Sequence, residues 1–501
     1  MAPPPIVDPI VRRLADAGAR ALTAEQLTAA LRAPGLEAGS FALPAAAHEI
    51  LAQGSTWTLS IAVFPPGAAT PLHVHRSPAA FRVLSGHALE LGCGGPDRTW
   101  AAGEVCGLAP GALHQLTNPG TSATQGDQPL VVLHLSAGEP CRPDADTGGR
   151  GRIAIIGGGL SSAALAYHLA VRADAPRELA IIERGRGLGR GIAYGVSSPI
   201  FRLNVPASKM SLDPDRPDDF VRWTGGAGDP DAFLSRARYG SYVEARLADA
   251  LAAGRVRATL HRDEAVRVDD RGVQLASGRR IDADQIVLAT GLVPRRAPAW
   301  LLADPRVIDA WDEPALHALP PDGRLLIIGS GLSAIDVLGI LDAGGFRGRV
   351  VVLSRHGLLP RPHLQPLRPA PPLDADILAA APAELRGLVR WARRLVRDFE
   401  GRGLPWQLAI DALRPHVPRL WAALPPRDRA RFVRSVRPYW EVLRHRAPRD
   451  ALATVDEWQA RGRLRVQAGR VTACRARPDG LEVDLAHADQ RDRQRFDAIV
   501  R

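Results

Sequence analysis

The segment "IAIIGGGLSSAALAYHLA" (153–170) restricts this chain more than any other. Its opening apolar run has no polar alternation, so it reads as a strand buried on both faces, parallel to its neighbours and covered by helices. Gly157-x-Gly159-x-x-Ser162 then turns the chain into a helix. Glycines there let backbone approach a diphosphate, and the free N–H groups and positive dipole of the helix start attract it. Gly157, Gly158, Gly159, Ser161 and Ser162 are the expected contacts. "LAIIERG" places Glu183 at the end of the following strand, where a carboxylate accepts hydrogen bonds from ribose hydroxyls. "LLIIGSGLSA" repeats the turn with Gly329, Gly331 and Ala334, but the strand after it, "RVVVLSRHG", ends in Arg355 and His356. A cation at that place favours the 2′-phosphate of NADP over NAD.

The 501 residues allow two to four domains. A hydrophobic content of 46% and a charged content of 23% are those of a globular protein. The net charge of +11 raises nucleic acid as a partner, but the cations are arginines spread along the chain, Lys209 being the single lysine. No recognised nucleic-acid motif accompanies them, so no nucleic acid is expected. Cys93, Cys106, Cys141 and Cys474 form no CxxC pair, no secretory signal opens the chain, and no apolar run is long enough for a membrane. The reducing cytoplasm is the expected compartment.

Ahead of the glycine turns the pattern differs. "LTAEQLTAALRA" carries a capping box, Thr23 with Gln26. From about 55 to 136, short alternating strands with Gly/Pro turns predict a sandwich or small barrel. Within them "TPLHVHRSPAAFRVLSG" (70–86) sets His73 and His75 on one face of a strand. A later block, Gly103 to Asn118, contains His114. A set of neutral imidazoles with open positions suits Fe(II) or another divalent ion.

These two blocks match the spacing of the cupin motifs, with Ala79 where the family's glutamate stands. The set His73, His75 and His114 without that glutamate resembles the cysteine dioxygenase family over residues 10–140. That resemblance implies Fe(II), a small thiol and O2, and it makes His134 in "LHL" the equivalent of a catalytic histidine beside the metal. Val132 and Ser136 replace the family's flanking Ser and Tyr, and His48 or Glu49 stands where its carboxylate-binding arginine is expected. His87 lies outside the pattern and is expected at the surface.

From 152 onward "GIAYG" (191–195), "LNVPASKMSLDPDRPDDFVRW" (203–223), "VVLSRHGLLPRPH" (351–363) and "RPYWEVLRHR" (437–446) resemble the bacterial FAD-NAD(P)-binding family, itself distantly similar to lysine and ornithine N-monooxygenases. The resemblance implies FAD at the first turn and NAD(P)H at the second, with Asn204, Met210 and Gly291 of the "ATG" strand near the flavin. The expected fold class is an N-terminal all-β cupin barrel followed by an α/β two-dinucleotide-binding, Rossmann-like flavoprotein with a helical insertion. The expected division is 1–140 cupin, 141–151 linker, 152–320 FAD fold, 321–364 NAD(P) unit, 365–463 helical insertion and 464–501 return to the FAD fold. The final "FDAIVR" parallels "DADQIVLATG" and stops before its glycine, which predicts a fragment or an FAD fold completed differently. The expected function is a bifunctional redox protein, an iron cupin fused to an FAD/NAD(P)H oxidoreductase. A flavin monooxygenase with a ligand-sensing cupin and a cofactor-poor binding protein are the alternatives.

Overall fold

The computed structural model describes residues 7–16, 22–33, 36, 48–53, 56–66, 68–75, 77–92, 97–110, 113–119, 129–137, 151–172, 177–185, 187–225, 229–253, 255–291, 304–487 and 490–501. The expected linker lies almost wholly outside them, as do Cys93 and Cys141. They divide into two compact units. The first is Met1–Gly195, Leu212–Asp219 and Ala237–Val293; the second is Val196–Ser211, Phe220–Arg236 and Pro294–Arg501.

The first unit opens with helices Asp8–Asp16 and Ala24–Leu31. The predicted capping box is present: Gln26 N–H donates to Thr23 Oγ1 at 3.2 Å and Thr23 N–H to Gln26 Oε1 at 2.8 Å. Strands β1 (His48–Gln53), β2 (Thr58–Phe64), β3 (His73–Val74), β4 (Ala79–Ser85), β5 (His87–Gly92), β6 (Arg98–Ala101), β7 (Val105–Leu108), β8 (Leu113–Thr117) and β9 (Leu130–Ser136) follow. They form two sheets, ordered β1-β2-β9-β4-β7 and β3-β8-β5-β6. Among the described residues no ladder closes them into the barrel that was expected. β4 and β5, though adjacent in sequence, lie in different sheets, with Gly86 at φ +76° between them. One core cluster holds Leu27 and Leu31 of the second helix together with Leu59, Ile61 and Leu133. A second holds Phe81, Val83, Leu116 and Val132.

Next in the first unit is a parallel sheet ordered β12-β11-β10-β16, made of β10 (Arg152–Ile156), β11 (Arg177–Ile182), β12 (Val256–His261) and β16 (Gln285–Leu288). As the apolar run requires, Ile153, Ala154, Ile155 and Ile156 are all buried. A small antiparallel sheet of β13 (Ala265–Asp269), β14 (Gly272–Leu275) and β15 (Arg280–Asp282) shares a core cluster with it through Val273 and Leu275.

The second unit repeats this plan. β17 (Val307–Ile308), β18 (Arg324–Ile328), β19 (Arg349–Ser354), β20 (Leu464–Ala468) and β24 (Ala498–Val500) form a parallel sheet ordered β17-β24-β18-β19-β20. Over it pack β21 (Arg470–Arg477), β22 (Gly480–His487) and β23 (Gln490–Phe496), through Leu481, Val483 and Leu485. Residues 464–501 thus join the second sheet rather than returning to the first, which corrects the expected division. The reason is register. Asp284 accepts from Arg152 N–H at 2.7 Å as β16 pairs β10, and Asp497 accepts from Arg324 N–H at 2.6 Å as β24 pairs β18. Each closing strand is held by its own half. Helices occupy most of 375–460, as the Arg-rich amphipathic pattern predicts.

Candidate functional sites

The antiparallel ladder of β3 and β8 sets His73 directly opposite His114, close enough for side chains to touch. His75 follows two residues later, and the three rings meet with centroids 4.6 to 5.0 Å apart. One ring nitrogen of each lies within 4.8 Å of the others. His73 Nδ1 donates to the Pro71 carbonyl at 2.8 Å, leaving Nε2 free to face His75 Nε2 at 3.2 Å. Two nitrogens about 2.1 Å from one ion, at roughly a right angle, stand about 3 Å apart. His114 Nδ1 donates to Glu90 Oε1 at 3.2 Å, and its buried Nε2 has no partner among the described residues. A carboxylate that orients one nitrogen and leaves the other for a metal is a recurring arrangement.

Electrostatics agree with that use. Burial, reinforced by the neighbouring imidazoles His114 and His134, pulls His73 down to about 3. Burial and His134 lower His75 further. Both rings are therefore neutral at physiological pH, the form that binds metal. Burial alone would raise Glu90, but hydrogen bonds from His114 and Trp100 bring its carboxyl below the usual range. Cys106 is pushed up to about 12 by burial and by Glu90, which keeps it a thiol rather than a ligand.

His134 is adjacent, as expected. Its ring stacks on His75 at 5.2 Å, burial holds it near 3, and neither nitrogen has a hydrogen-bond partner among the described residues. His87 is exposed, also as expected. Sequence reasoning missed Glu90. Its signal was an acid two residues after buried Ala88 in the alternating "HALELG", on the inward face.

Gln115 was missed as well. Its side chain, 1% exposed, donates to the Leu260 carbonyl at 2.7 Å and accepts Leu260 N–H at 2.8 Å. Leu72 N–H donates to the Ala258 carbonyl at 2.6 Å, and Arg262 pairs with Asp97 through two 3.1 Å bonds. β12, the edge of the first parallel sheet, is thereby held by the residues that immediately precede His73 and follow His114. Gln115→Leu leaves two buried backbone groups of Leu260 unpaired at about 1–3 kcal/mol each. Urea unfolding is expected to show a loss of roughly 2–6 kcal/mol.

At the first glycine turn, Gly157 has φ +106°, and a Cβ there would lie 2.3 Å from the Ala289 carbonyl oxygen. Glu183 closes the turn, accepting Gly158 N–H at 2.6 Å and Gly185 N–H at 2.5 Å. Around Gly159 the nearest atom to an added Cβ is 3.8 Å away, so space remains for a diphosphate. Ser161 is exposed; Ser162 is fully buried at the start of the helix Leu160–Arg172, its hydroxyl without a partner among the described residues. Gly291 has φ +69° and open surroundings. Asn204 and Met210 belong to the second unit, where Asn204 accepts from His363 Nε2 at 3.0 Å and Met210 caps a short turn.

The second turn is more open. A Cβ at Gly329 or Gly331 would meet nothing within 4 Å, while Ala334 is buried in the core. Exposed Arg355 and His356 line a 370 Å³ cavity with Ser330, Gly331, Ser354 and Arg437. Both turns fit the dinucleotides expected at them, and the histidine cluster fits a divalent metal.

Residues 154–293 match the model of the FAD-NAD(P)-binding family, and residues 60–132 that of the cupin domain. No curated protein matches the chain. Among solved structures it is similar to an ornithine N-hydroxylase from Kutzneria sp. 744, at 17% identity over 70% of this chain and 80% of that one, with a TM-score of 0.45. A lysine monooxygenase from Nocardia farcinica is similar at 15% identity over 70% and 79%, with a TM-score of 0.43. A Salinispora arenicola cupin is similar at 24% identity over 18% and 72%, with a TM-score of 0.16. Among the described residues no helix is long and apolar enough to cross a membrane.

Proposed function

We propose that this chain, which carries a cupin domain and an FAD-NAD(P)-binding domain, is a flavin-dependent oxidoreductase with a metal-binding cupin in front. The repeated strand, glycine turn and helix in its two units is the observation that carries this reading. In it, Gly157–Gly159 and the N-terminus of the helix Leu160–Arg172 hold the FAD diphosphate. Ser161 and Ser162 flank that contact, and Gly291 borders it. Glu183 keeps the loop in shape through Gly158 and Gly185 N–H, and the acceptor capacity left on its carboxylate would serve the ribose hydroxyls. Gly329, Gly331 and the helix Leu332–Ala343 hold NADPH, with Arg355 on its 2′-phosphate. A bound flavin would supply hydride acceptance from the nicotinamide and electron transfer to O2 or another acceptor; the protein orients the two nucleotides and excludes water.

His73, His75 and His114 hold the metal in this reading, Fe(II) being the choice for three imidazoles with open positions. Such an ion supplies O2 and thiolate binding, and His134 shapes the adjoining wall. A small thiol is the corresponding substrate. The second reading, a cupin that senses a ligand for a flavin monooxygenase, is favoured by the hydrogen bonds from Leu72 and Gln115 to β12.

Purification without added cofactors, followed by metal analysis and an absorbance spectrum, tests the assignment. A colourless, metal-free protein that takes up neither FAD nor Fe(II) would sink it. Oxygen consumption on a small thiol, with NADPH absent, separates the two readings of the cupin. Removing the guanidinium in Arg355→Ala deletes a charge-assisted contact of about 1.5–3 kcal/mol. The NADPH over NADH preference in kcat/KM is then expected to fall roughly 10- to 100-fold, with NADH kinetics unchanged.

A further inference from the structure

The helices of the second unit enclose a larger space that the cofactor reading does not use. It is an open-mouthed cavity of 1170 Å³, about the upper limit for small-molecule sites. On the helix Leu385–Gly401, Leu388, Ala392 and Val396 follow at intervals of four and form an apolar stripe along its floor. From Leu385 to Val396 that stripe is about 16 Å long. Arg393 and Arg397 run beside it, also four apart, exposed at the rim and in no ion pair among the described residues. With Arg361 they give the lining three guanidinium groups against one carboxylate, Glu400.

The lining is also aromatic, with Trp406, Trp421 and Trp440, three of the ten tryptophans in the chain. Trp440 lies on the helix Arg437–Arg444, which follows a π-turn at Phe432–Val436; such turns concentrate at functional sites. The same stretch has two working faces. Arg437 and Glu441 line the cavity at the second glycine turn, while Tyr439 and Trp440 line the large one.

We propose that this cavity binds an anionic amphiphile, a carboxylate on an acyl chain of medium to long length. The chain lies along Leu388, Ala392 and Val396, and the carboxylate is held at the rim by Arg393 and Arg397. Concavity and volume fit a small molecule rather than a flat protein partner, and the unmatched arginines set the sign of its head group. The proposal does not depend on which cofactors the turns hold.

Titration of the full-length protein with dodecanoate below its micellar concentration, read by tryptophan fluorescence, tests it. A saturable change is expected, with dodecylamine, equal in length and opposite in charge, binding at least about tenfold more weakly. In the double variant Arg393→Glu, Arg397→Glu, dodecanoate affinity is expected to drop by about tenfold or more. Both residues are exposed, so the fold survives; far-UV circular dichroism confirms it. No saturable signal, or equal affinity for the two head groups in wild type and variant alike, would overturn the proposal.

Discussion

His75→Ala is expected to yield a folded protein that loses its divalent metal, with affinity down by well over 100-fold. The reasoning is comparative: disturbing an outer partner of a metal-bound histidine costs about 10–100-fold, and a ligand contributes more than its outer partner. His75 Nε2 stands 3.2 Å from His73 Nε2, and His114 Nε2 has no partner among the described residues, so the change leaves two imidazoles where three converge. Burial keeps His75 uncharged, and no ion pair is broken by the change. Metal analysis after gel filtration and a calorimetric titration with Fe(II) under anaerobic conditions measure it. His87→Ala, on an exposed ring in the same domain, is the control and should keep full metal content. Equal retention by wild type and His75→Ala would remove the cluster from consideration as a metal site.

Gly157→Ala and Gly331→Ala are expected to behave in opposite ways, although both change a turn glycine to alanine. At Gly157 the left-handed φ of +106° is strained for alanine, and the new Cβ would sit 2.3 Å from the Ala289 carbonyl oxygen. Strain of about 1–3 kcal/mol plus overpacking of about 1–3 kcal/mol takes much of the stability of an ordinary domain. The variant is expected to unfold at distinctly lower urea and to lose FAD. Gly331 has φ −81°, and its Cβ would meet nothing within 4 Å. Stability there should stay within about 0.5 kcal/mol. NADPH affinity should still fall, because the methyl group enters the space into which the diphosphate comes close. Urea midpoints and nucleotide titrations of the two variants give the comparison. Equal stabilities would refute the steric account of the first turn, and unchanged NADPH affinity in Gly331→Ala would refute the nucleotide assignment of the second.

Much of this was legible before any coordinates. Ile153–Ile156 and Leu325–Ile328 are uninterrupted apolar runs ending in glycine, and only a covered parallel strand satisfies such a run. The spacing of His73 and His75 predicts one strand face for both; the strand ends at Val74, yet their rings meet 4.9 Å apart. The pairing of His73 with His114 was inferred from a motif, because strand register 41 residues apart leaves no local trace. Gln115 was invisible for a different reason. In "LHQLT" every residue is buried, so a polar residue in it carries no directional signal until its partner strand is known. The destination of 464–501 failed likewise: "DAIV" resembles "DQIV", but β16 already occupies the β10 edge, and β24 pairs β18 instead.

Local pattern alone, then, determined the two glycine turns, the closeness of His73 and His75 and the helical character of the insertion, since each depends on residues a few positions apart. Tertiary structure decided that the cupin strands form two sheets, that Glu90 orients His114, that Gln115 fastens β12 and that arginines border an aromatic cavity. The two hydrogen-bonded contacts among them join residues 24 and 145 positions apart. Contacts at such separations are selected by burial of whole faces and by the pairing of polar groups enclosed with them, and no short stretch of chain encodes either.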